Sequence, residues 1–332
     1  MDISIIICTY NPSPRIFQRC LNAISKFNKS NLNIEVILVD NNSTPPIEEY
    51  DYVRSFLENM ENSFLIRETK PGLIYARMAG FKRSKFPVII YFDDDNEPAA
   101  DYLITVKEIL EKNKQVGMLG PGIINVEFLD GTNKWLETKR TIFQQRELKE
   151  AAYGNKTDWY RDYYPFGTGL ILKREVLSEF NSVVENQNEV SGRIGNSLLS
   201  GEDAQIVWTG IKLGYHAGSS PLLKLNHLIP STRTAEKYIK KLHFSLCFSG
   251  MKSTLGVFPE RSEILKKQRP TFTFFIIGLS KCIVKNIFDH RAMKVESVPA
   301  FTGKVAGYFY AFDIRKPWWL KLTQKIFKVD FH

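Results

Sequence analysis

Ile3-Ser4-Ile5-Ile6-Ile7-Cys8, followed at once by Thr9-Tyr10-Asn11-Pro12-Ser13-Pro14, decides how the rest of the chain is read. The nearly continuous apolar run matches a strand covered on both faces, as in a parallel sheet. Asn11 to Pro14 break it, and Ile16, Cys20, Leu21, Ile24 and Phe27 then recur at helical spacing, so a helix follows and lies on the sheet. The pattern repeats. Ile34–Val39, Phe64–Ile66 and Val88–Phe92 read as further buried strands, with helical stretches over 47–60, 73–85 and 99–113 between them. Strands alternating with helices predict βαβ crossovers and an α/β fold, with a mostly parallel central sheet flanked by helices. Ligands bind such sheets beyond the carboxyl ends of the strands. Thr9, Tyr10 and Asn11, then Asp40, Asn41, Asn42 and Ser43, then Asp93, Asp94, Asp95 and Asn96 all fall there.

From about Met118 the alternation gives way to short strands (118–119, 122–128 and 164–172) and a stretch from Trp135 to Tyr164 rich in aromatic and charged residues. A helix from Asp203 to Leu213 ends at Gly214, another runs from Ala235 to Phe248, and more lie near 281–289 and 318–328. The 332 residues carry a net charge of +9, but up to Pro230 there are 26 basic and 29 acidic residues, and beyond it 19 and 7. The whole positive surplus lies in the last 102 residues, which points to an anionic partner at that end only. The expected organisation is a catalytic domain over 1–230, with a nucleotide-binding half (1–117) and an acceptor-binding half (118–230), and a basic helical extension over 231–332.

Four scattered cysteines show neither CxxC pairing nor zinc-ligand spacing, so no disulfide framework is expected. The N-terminus enters a strand without a basic leader, and the longest uncharged apolar-rich run, Pro270 to Ser280, is too short to span a bilayer. A cytoplasmic protein without transmembrane helices is expected.

Asp93-Asp94-Asp95 is the sharpest chemical signal. Three carboxylates at a strand end repel one another, and a divalent ion that also bridges substrate phosphates removes the conflict. A helix N-cap is the plainer alternative, although one Asp would suffice for it. Gly201-Glu202-Asp203 opens an amphipathic helix; it supplies a general base for an attacking hydroxyl, or merely suits the helix dipole.

Ile3 to Asn11, Val39-Asp40-Asn41-Asn42-Ser43-Thr44, Gly72-Leu73-Ile74-Tyr75-Ala76-Arg77 and Phe92-Asp93-Asp94-Asp95 together resemble the successive motifs of family 2 inverting glycosyltransferases with the GT-A fold. The resemblance implies that Tyr10 lies against a nucleobase, with Thr9 and Asn11 beside it. It implies that Asp40 hydrogen-bonds the base near Asn42, and that Arg77 sits close to the nucleotide. Asp93 falls on the ribose-contacting position, next to Asp94, and Asp95 on the metal-ligand position for Mn2+ or Mg2+, with Asp93 as a second candidate ligand. Asp40 and Asn42 as turn residues, and Arg77 as a helix-face arginine, stay open.

Gly201-Glu202-Asp203 resembles the family's ED motif, which makes Asp203 the base and Glu202 its assistant. Phe166-Gly167-Thr168-Gly169 resembles the segment lining the sugars, against a simple strand bulge. Trp135, Trp159, Tyr160, Tyr163 and Tyr164 either stack on acceptor sugars or pack internally. His227 completes the metal or diphosphate site or is structural, and Arg233 is a candidate diphosphate contact. The QxxRW motif of processive synthases is absent, so transfer of a single sugar is expected. UDP is the favoured nucleotide, on family prevalence. The acceptor is a saccharide, expected to be linked to a polyprenyl diphosphate in surface polysaccharide synthesis.

The tail mixes Lys and Arg with aromatic residues, as in Lys316-Pro317-Trp318-Trp319-Leu320-Lys321-Leu322. This composition fits an interfacial helix on the anionic inner face of the cell membrane, or a cap packed on the catalytic domain. No nucleic-acid partner is expected. The rivals are a non-catalytic nucleotide-sugar or carbohydrate-binding scaffold subunit, and a sugar-nucleotide nucleotidyltransferase. The second would need a glycine-rich phosphate loop after the first strand, where this chain has Thr9 to Pro14.

Overall fold

The computed structural model describes residues 1–158, 160–186, 198, 201–288 and 297–329. The chain divides into two compact units, Met1–Val190 with Ile206–Ile229, and Ser191–Gln205 with Pro230–His332.

The first unit is built on one sheet. Its first four strands are β1 (Asp2–Thr9), β2 (Asn33–Asp40), β3 (Ser63–Arg67) and β4 (Val88–Asp93). There follow β5 (Asn96–Pro98), β6 (Val116–Phe128), β7 (Arg146–Glu147), β8 (Ala152–Gly154), β9 (Leu170–Lys173) and β10 (His216–Ile229). The order is β3-β2-β1-β4-β9-β6-β10-β5, with β7 on β6 and β8 on β10. β1 to β4 pair in parallel, as do β6 and β10, while β9 and β5 run antiparallel to their neighbours.

Helices α1 (Pro14–Ser25), α2 (Asp51–Asn59), α3 (Leu73–Arg83), α4 (Tyr102–Lys112), the single turn α5 (Lys134–Glu137) and α6 (Arg174–Asn186) join these strands. Successive strand side chains point to opposite faces, and both faces of β1 are covered. Ile3, Ile5 and Ile7 pack in one core with Phe17, Leu21 and Ile24 of α1 and Leu103 and Val106 of α4. On the other face Ile6 meets α3 so closely that a Cβ on Gly80 would fall 2.5 Å from its Cγ2. Each such fully buried side chain contributes about 1.5–3 kcal/mol.

The predicted strands β1 to β4 and the helices between them are present, each shifted by a residue or a few. The predicted helix over 47–60 is a 3-10 turn (Ile47–Glu49) followed by α2. Beyond residue 95 the differences grow. Asn96–Pro98, which reads as a lead into a helix, is the strand β5. The two short strands expected over 118–128 are one strand of 13 residues, and of 164–172 only the end is strand. β10 pairs with β6, β5 and β8, and a bulge after Ser220 leaves Leu223, Leu225 and His227 buried while Leu222, Lys224 and Asn226 face outward.

α7 (Glu202–Lys212) straddles the division between the units, since residues up to Gln205 belong to the second. The second unit is otherwise helical: α8 (Ser231–Thr234), α9 (Glu236–Val257), α10 (Ser262–Lys266), α11 (Phe272–Phe288), α12 (Ser297–Ala311) and α13 (Trp318–Ile326). Its core gathers Phe244 and Phe248 of α9, Phe275 of α11, Val305 and Phe309 of α12 and Leu320 of α13. Side chains on Gly303 or Gly307 would fall 2.4 and 2.3 Å from the carbonyl oxygens of Phe244 and Phe248, so α9 and α12 touch backbone to backbone. Among the described residues no helix is long and apolar enough to cross a membrane.

Arg19 of α1 binds both Glu97 of β5 and Glu127 of β6 with two hydrogen bonds each, at 2.7–3.0 Å, and Asn226 of β10 adds one to Glu97 at 2.9 Å. The guanidinium holds both carboxyls below their usual range. Such carboxylates stabilise the fold above their unfolded pKa of about 4.3, and that contribution is lost as pH falls through the lowered folded values. The three side chains are 26–40% exposed, so solvent screens the network to about 1 kcal/mol. Arg19→Ala is therefore expected to lower the urea midpoint at pH 7, and the difference from wild type should shrink as pH falls below about 4.3; a difference that stays constant with falling pH would overturn the assignment.

Candidate active site

The site grows from the end of β4. Asp93 is its last residue, Asp94 and Asp95 form a tight turn, and Asn96 opens β5. Each carboxylate has a different neighbour. Asp93 Oδ1 lies 3.6 Å from Arg77 Nη2, a guanidinium buried on α3 beneath the ring of Tyr91. Thr9 Oγ1, at the end of β1, donates to Asp94 Oδ2 at 2.5 Å. Asp95, only 3% exposed, accepts from Asn96 Nδ2 at 2.8 Å, and its Oδ2 lies 3.5 Å from His227 Nε2.

His227 arrives there because β10 pairs with β5 in a register that sets it opposite Asn96, and Leu228 N–H binds the Asp95 carbonyl at 2.9 Å. Its Nδ1 is 2.8 Å from the Phe143 carbonyl. A carbonyl only accepts, so Nδ1 carries a hydrogen, and Nε2 is the ring atom that faces Asp95. Metal-ligating histidines are held in this way.

The donor set suits a hard divalent ion. Ligands to one ion at about 2.1 Å lie on the order of 3 Å apart, so Asp95 Oδ2 and His227 Nε2 need to shift only a few tenths of an ångström. Among the described residues no group of three or more His, Cys, Asp or Glu forms a metal-holding cluster. A magnesium-type ion needs no such cage, because it takes one or two protein ligands and fills the rest with phosphate oxygens and water.

The loops beside the turn are tied by asparagines. Tyr10 is 52% exposed, and Asn11, in a left-handed conformation (φ 47°), donates its N–H to Ser43 Oγ and accepts from Thr44 N–H. Asp40 is buried, accepting from Ser43 N–H at 2.8 Å and Ile47 N–H at 3.2 Å, which is turn chemistry. Asn42 is also left-handed and accepts from Arg67. Asn41, which the sequence does not distinguish from its neighbours, staples the β3–α3 loop. It donates to the carbonyls of Glu68 and Lys70 and accepts from Gly72 N–H, at 2.8–3.0 Å.

Elsewhere in this unit, Phe166 stacks on the guanidinium of Arg146, 3.7 Å from the ring centre. Burial pushes Arg146 down to about 10, still a cation at neutral pH. It donates to Ser219 Oγ and to the carbonyls of Asp162 and Tyr164. Gly167 is buried beside them. Thr168 donates to Gln144 Oε1, and Gly169 is left-handed (φ 67°), where a Cβ would collide with Leu225 and Tyr102 at 2.7 Å. Packing and the left-handed backbone both require a glycine there. Tyr160, Tyr163 and Tyr164 pack edge-on against one another and Trp208. Trp135 is half-buried on α5, and its indole N–H has no hydrogen-bond partner among the described residues. Trp159 lies outside the described residues.

Glu202, Asp203 and Arg233 belong to the second unit. Gly201 precedes them with φ 132°, and a Cβ there would fall 2.1 Å from Ser253 Oγ on α9. Glu202 is buried and Asp203 half-buried in the first turn of α7, and Arg233 is half-buried on α8.

Residues 4–180 match the sequence model described as Glycosyl transferase family 2. The chain belongs to this family. Its mixed sheet, with the acidic turn after β4, is the GT-A architecture that the motifs imply. It is 27% identical over 209 residues to the glycosyltransferase AglE of Haloferax volcanii, covering 62% of this chain and 60% of that protein. The chain thus spans about 60% of the length of that relative. Among solved structures, S. aureus TarS 1-349 is 14% identical with a TM-score of 0.46, over 96% of this chain and 93% of that one. GalNAc-T7, solved with UDP, GalNAc and Mn2+, is 14% identical with a TM-score of 0.49, over 97% of this chain and 56% of that one.

Asn41→Ala removes three hydrogen bonds and leaves the buried Gly72 N–H without its acceptor, which costs about 1–3 kcal/mol. Urea unfolding is expected to register that loss, and a stability within 0.5 kcal/mol of wild type, the range of an ordinary surface change, would rule out the staple.

Proposed function

We propose that this glycosyltransferase is metal-dependent and inverting, and moves a single sugar from a UDP-sugar to a saccharide hydroxyl. The observation that carries the proposal is the pair Asp95 Oδ2 and His227 Nε2 at 3.5 Å, with the imidazole held from behind by the Phe143 carbonyl. Asp95 and His227 hold Mn2+ or Mg2+, with Asp93 as the further candidate ligand. When bound, the ion neutralises the charge that builds on the departing diphosphate.

The remaining work falls to the chain. Tyr10, more than half exposed, offers its ring to the base beside Thr9, Asn11, Asp40 and Asn42. Arg77 fixes Asp93, which with Asp94 faces the ribose, and Arg233 steadies the diphosphate. Phe166 to Gly169 and Trp135 line the sugars. Asp203 takes the proton from the attacking acceptor hydroxyl, assisted by Glu202, so one displacement inverts the anomeric centre. The acceptor is lipid-linked and belongs to surface polysaccharide synthesis. The basic extension rests on the cytoplasmic face of the membrane, supported by an exposed apolar stripe on α13 formed by Trp318, Leu322 and Ile326.

A thermal-shift panel of UDP, GDP, CMP and dTDP with and without manganese tests the donor. A shift with UDP and metal alone is expected, and no shift for any would favour the scaffold alternative. Asp95→Ala should weaken manganese-dependent UDP binding tenfold or more, and unchanged affinity would remove it from the metal site. Asp203→Asn should cut turnover by about 10²–10⁴ while leaving UDP binding intact; wild-type turnover would refute its role as base.

A further inference from the structure

The second unit contains a cleft of about 1270 Å³ that the transfer chemistry leaves unexplained. Lys237 and Lys241 line it from α9, and Lys316, Lys321, Lys325 and Lys328 line it from α13 and its flanks. One carboxylate among the described lining residues, Asp313, opposes these six lysines, and Phe309 and Tyr310 of α12 contribute aromatic surface. Residues four apart share a helix face, so Lys237 with Lys241 and Lys321 with Lys325 form two cationic pairs on the cleft walls. Like charges so placed repel, and a multivalent anion between them reverses the sign of the interaction.

A second observation concerns the same cleft. Gln324 lines it, is 1% exposed, and its Nε2 has no hydrogen-bond partner among the described residues. A buried amide donor without an acceptor is costly. Phosphate oxygens are acceptors and would satisfy both the amide and the ammonium groups.

The helix that supplies Lys321 and Lys325 also carries the apolar stripe. Trp318, Leu322 and Ile326 are 71%, 51% and 63% exposed at four-residue spacing, so they form one ridge beside the lysines. Phe272 of α11, 49% exposed, extends the ridge with its ring 6.2 Å from that of Trp318. Apolar residues at acyl depth with cations at headgroup depth define an interfacial helix.

We propose that the six-lysine cleft is a binding site for the phosphate of an anionic lipid headgroup, seated while the Trp318–Leu322–Ile326 ridge enters the acyl boundary. The proposal rests on the membrane attachment put forward above and not on the transfer chemistry. It is specific where general surface attraction is not, because an exposed phosphate monoester presents three terminal oxygens and up to two charges to the clustered ammonium groups, and a diester two oxygens and one charge.

The test is flotation of the full chain with phosphatidylcholine vesicles containing phosphatidic acid, compared with phosphatidylserine vesicles matched in surface potential, at physiological salt where screening acts over about 8 Å. The expected result is at least tenfold tighter binding to phosphatidic acid, displaced by millimolar inorganic diphosphate. Lys321→Glu with Lys325→Glu should abolish that preference, while arginine at both positions keeps it. Leu322→Ser should weaken binding to both vesicles alike. Equal binding of wild type to the two lipids, or a retained preference in the glutamate variant, would overturn the headgroup site while leaving attachment standing. No binding to any vesicle would overturn both, and diphosphate binding without vesicle binding would make the occupant a soluble anion. The manganese-dependent UDP shift, expected unchanged in the lysine variants, keeps the donor site separate from either outcome.

Discussion

Three adjacent carboxylates at the end of a buried strand are the constraint around which the first unit is arranged. At an effective dielectric near 20, two charges 4 Å apart repel by about 4 kcal/mol. The chain manages this by giving each a different neighbour from a different element. Asp93 faces Arg77 of α3, Asp94 accepts from Thr9 of β1, and Asp95 lies between Asn96 of β5 and His227 of β10. Those neighbours require β1 beside β4 and a strand from more than a hundred residues further on, β10, to pair with β5. The sheet order and the chemistry of the turn are thus one requirement.

What was legible in the sequence follows from how local each signal is. β1 to β4 announce themselves because strands buried on both faces are apolar throughout, and their helices carry one apolar stripe. The acidic turn and the asparagine-rich turn after β2 sit where the sheet rule expects them. β5 could not be seen, because three residues containing a proline have no periodicity and form a strand only through pairing with β10. Arg19 was invisible for the same reason, its partners Glu97 and Glu127 lying 78 and 108 residues away. Asn41 shows no more than turn composition until its three bonds to the next loop are seen, and the closeness of Gly169 to Tyr102 and Leu225 is set by the fold and not by spacing.

In the second unit the charge asymmetry was plain from counting, but its organisation was not. Helix α12 carries no clear periodic signal, because a helix packed on several sides has no polar face to set its phase. Its contact with α9 depends on Gly303 and Gly307, residues that read as helix breakers and act here by letting two backbones meet. The lysines at 237, 241, 321 and 325 looked like a diffuse basic tail. Folding gathers them around one cleft.

The bulge after Ser220 has a wider consequence. Between Ser220 and Lys224 the partner strand advances two residues while β10 advances four. The two extra residues are an even number, so the odd-even phase carries across the bulge, with Leu223 and Leu225 in the core and His227 on the same side. A slip of one residue would bring Asn226 or Leu228 to Asp95 and turn the leucines toward water in the same step. Stability and chemistry are therefore read from a single frame. Mispaired chains forfeit both together, so the population of folded molecules is enriched in competent ones without any separate checking device.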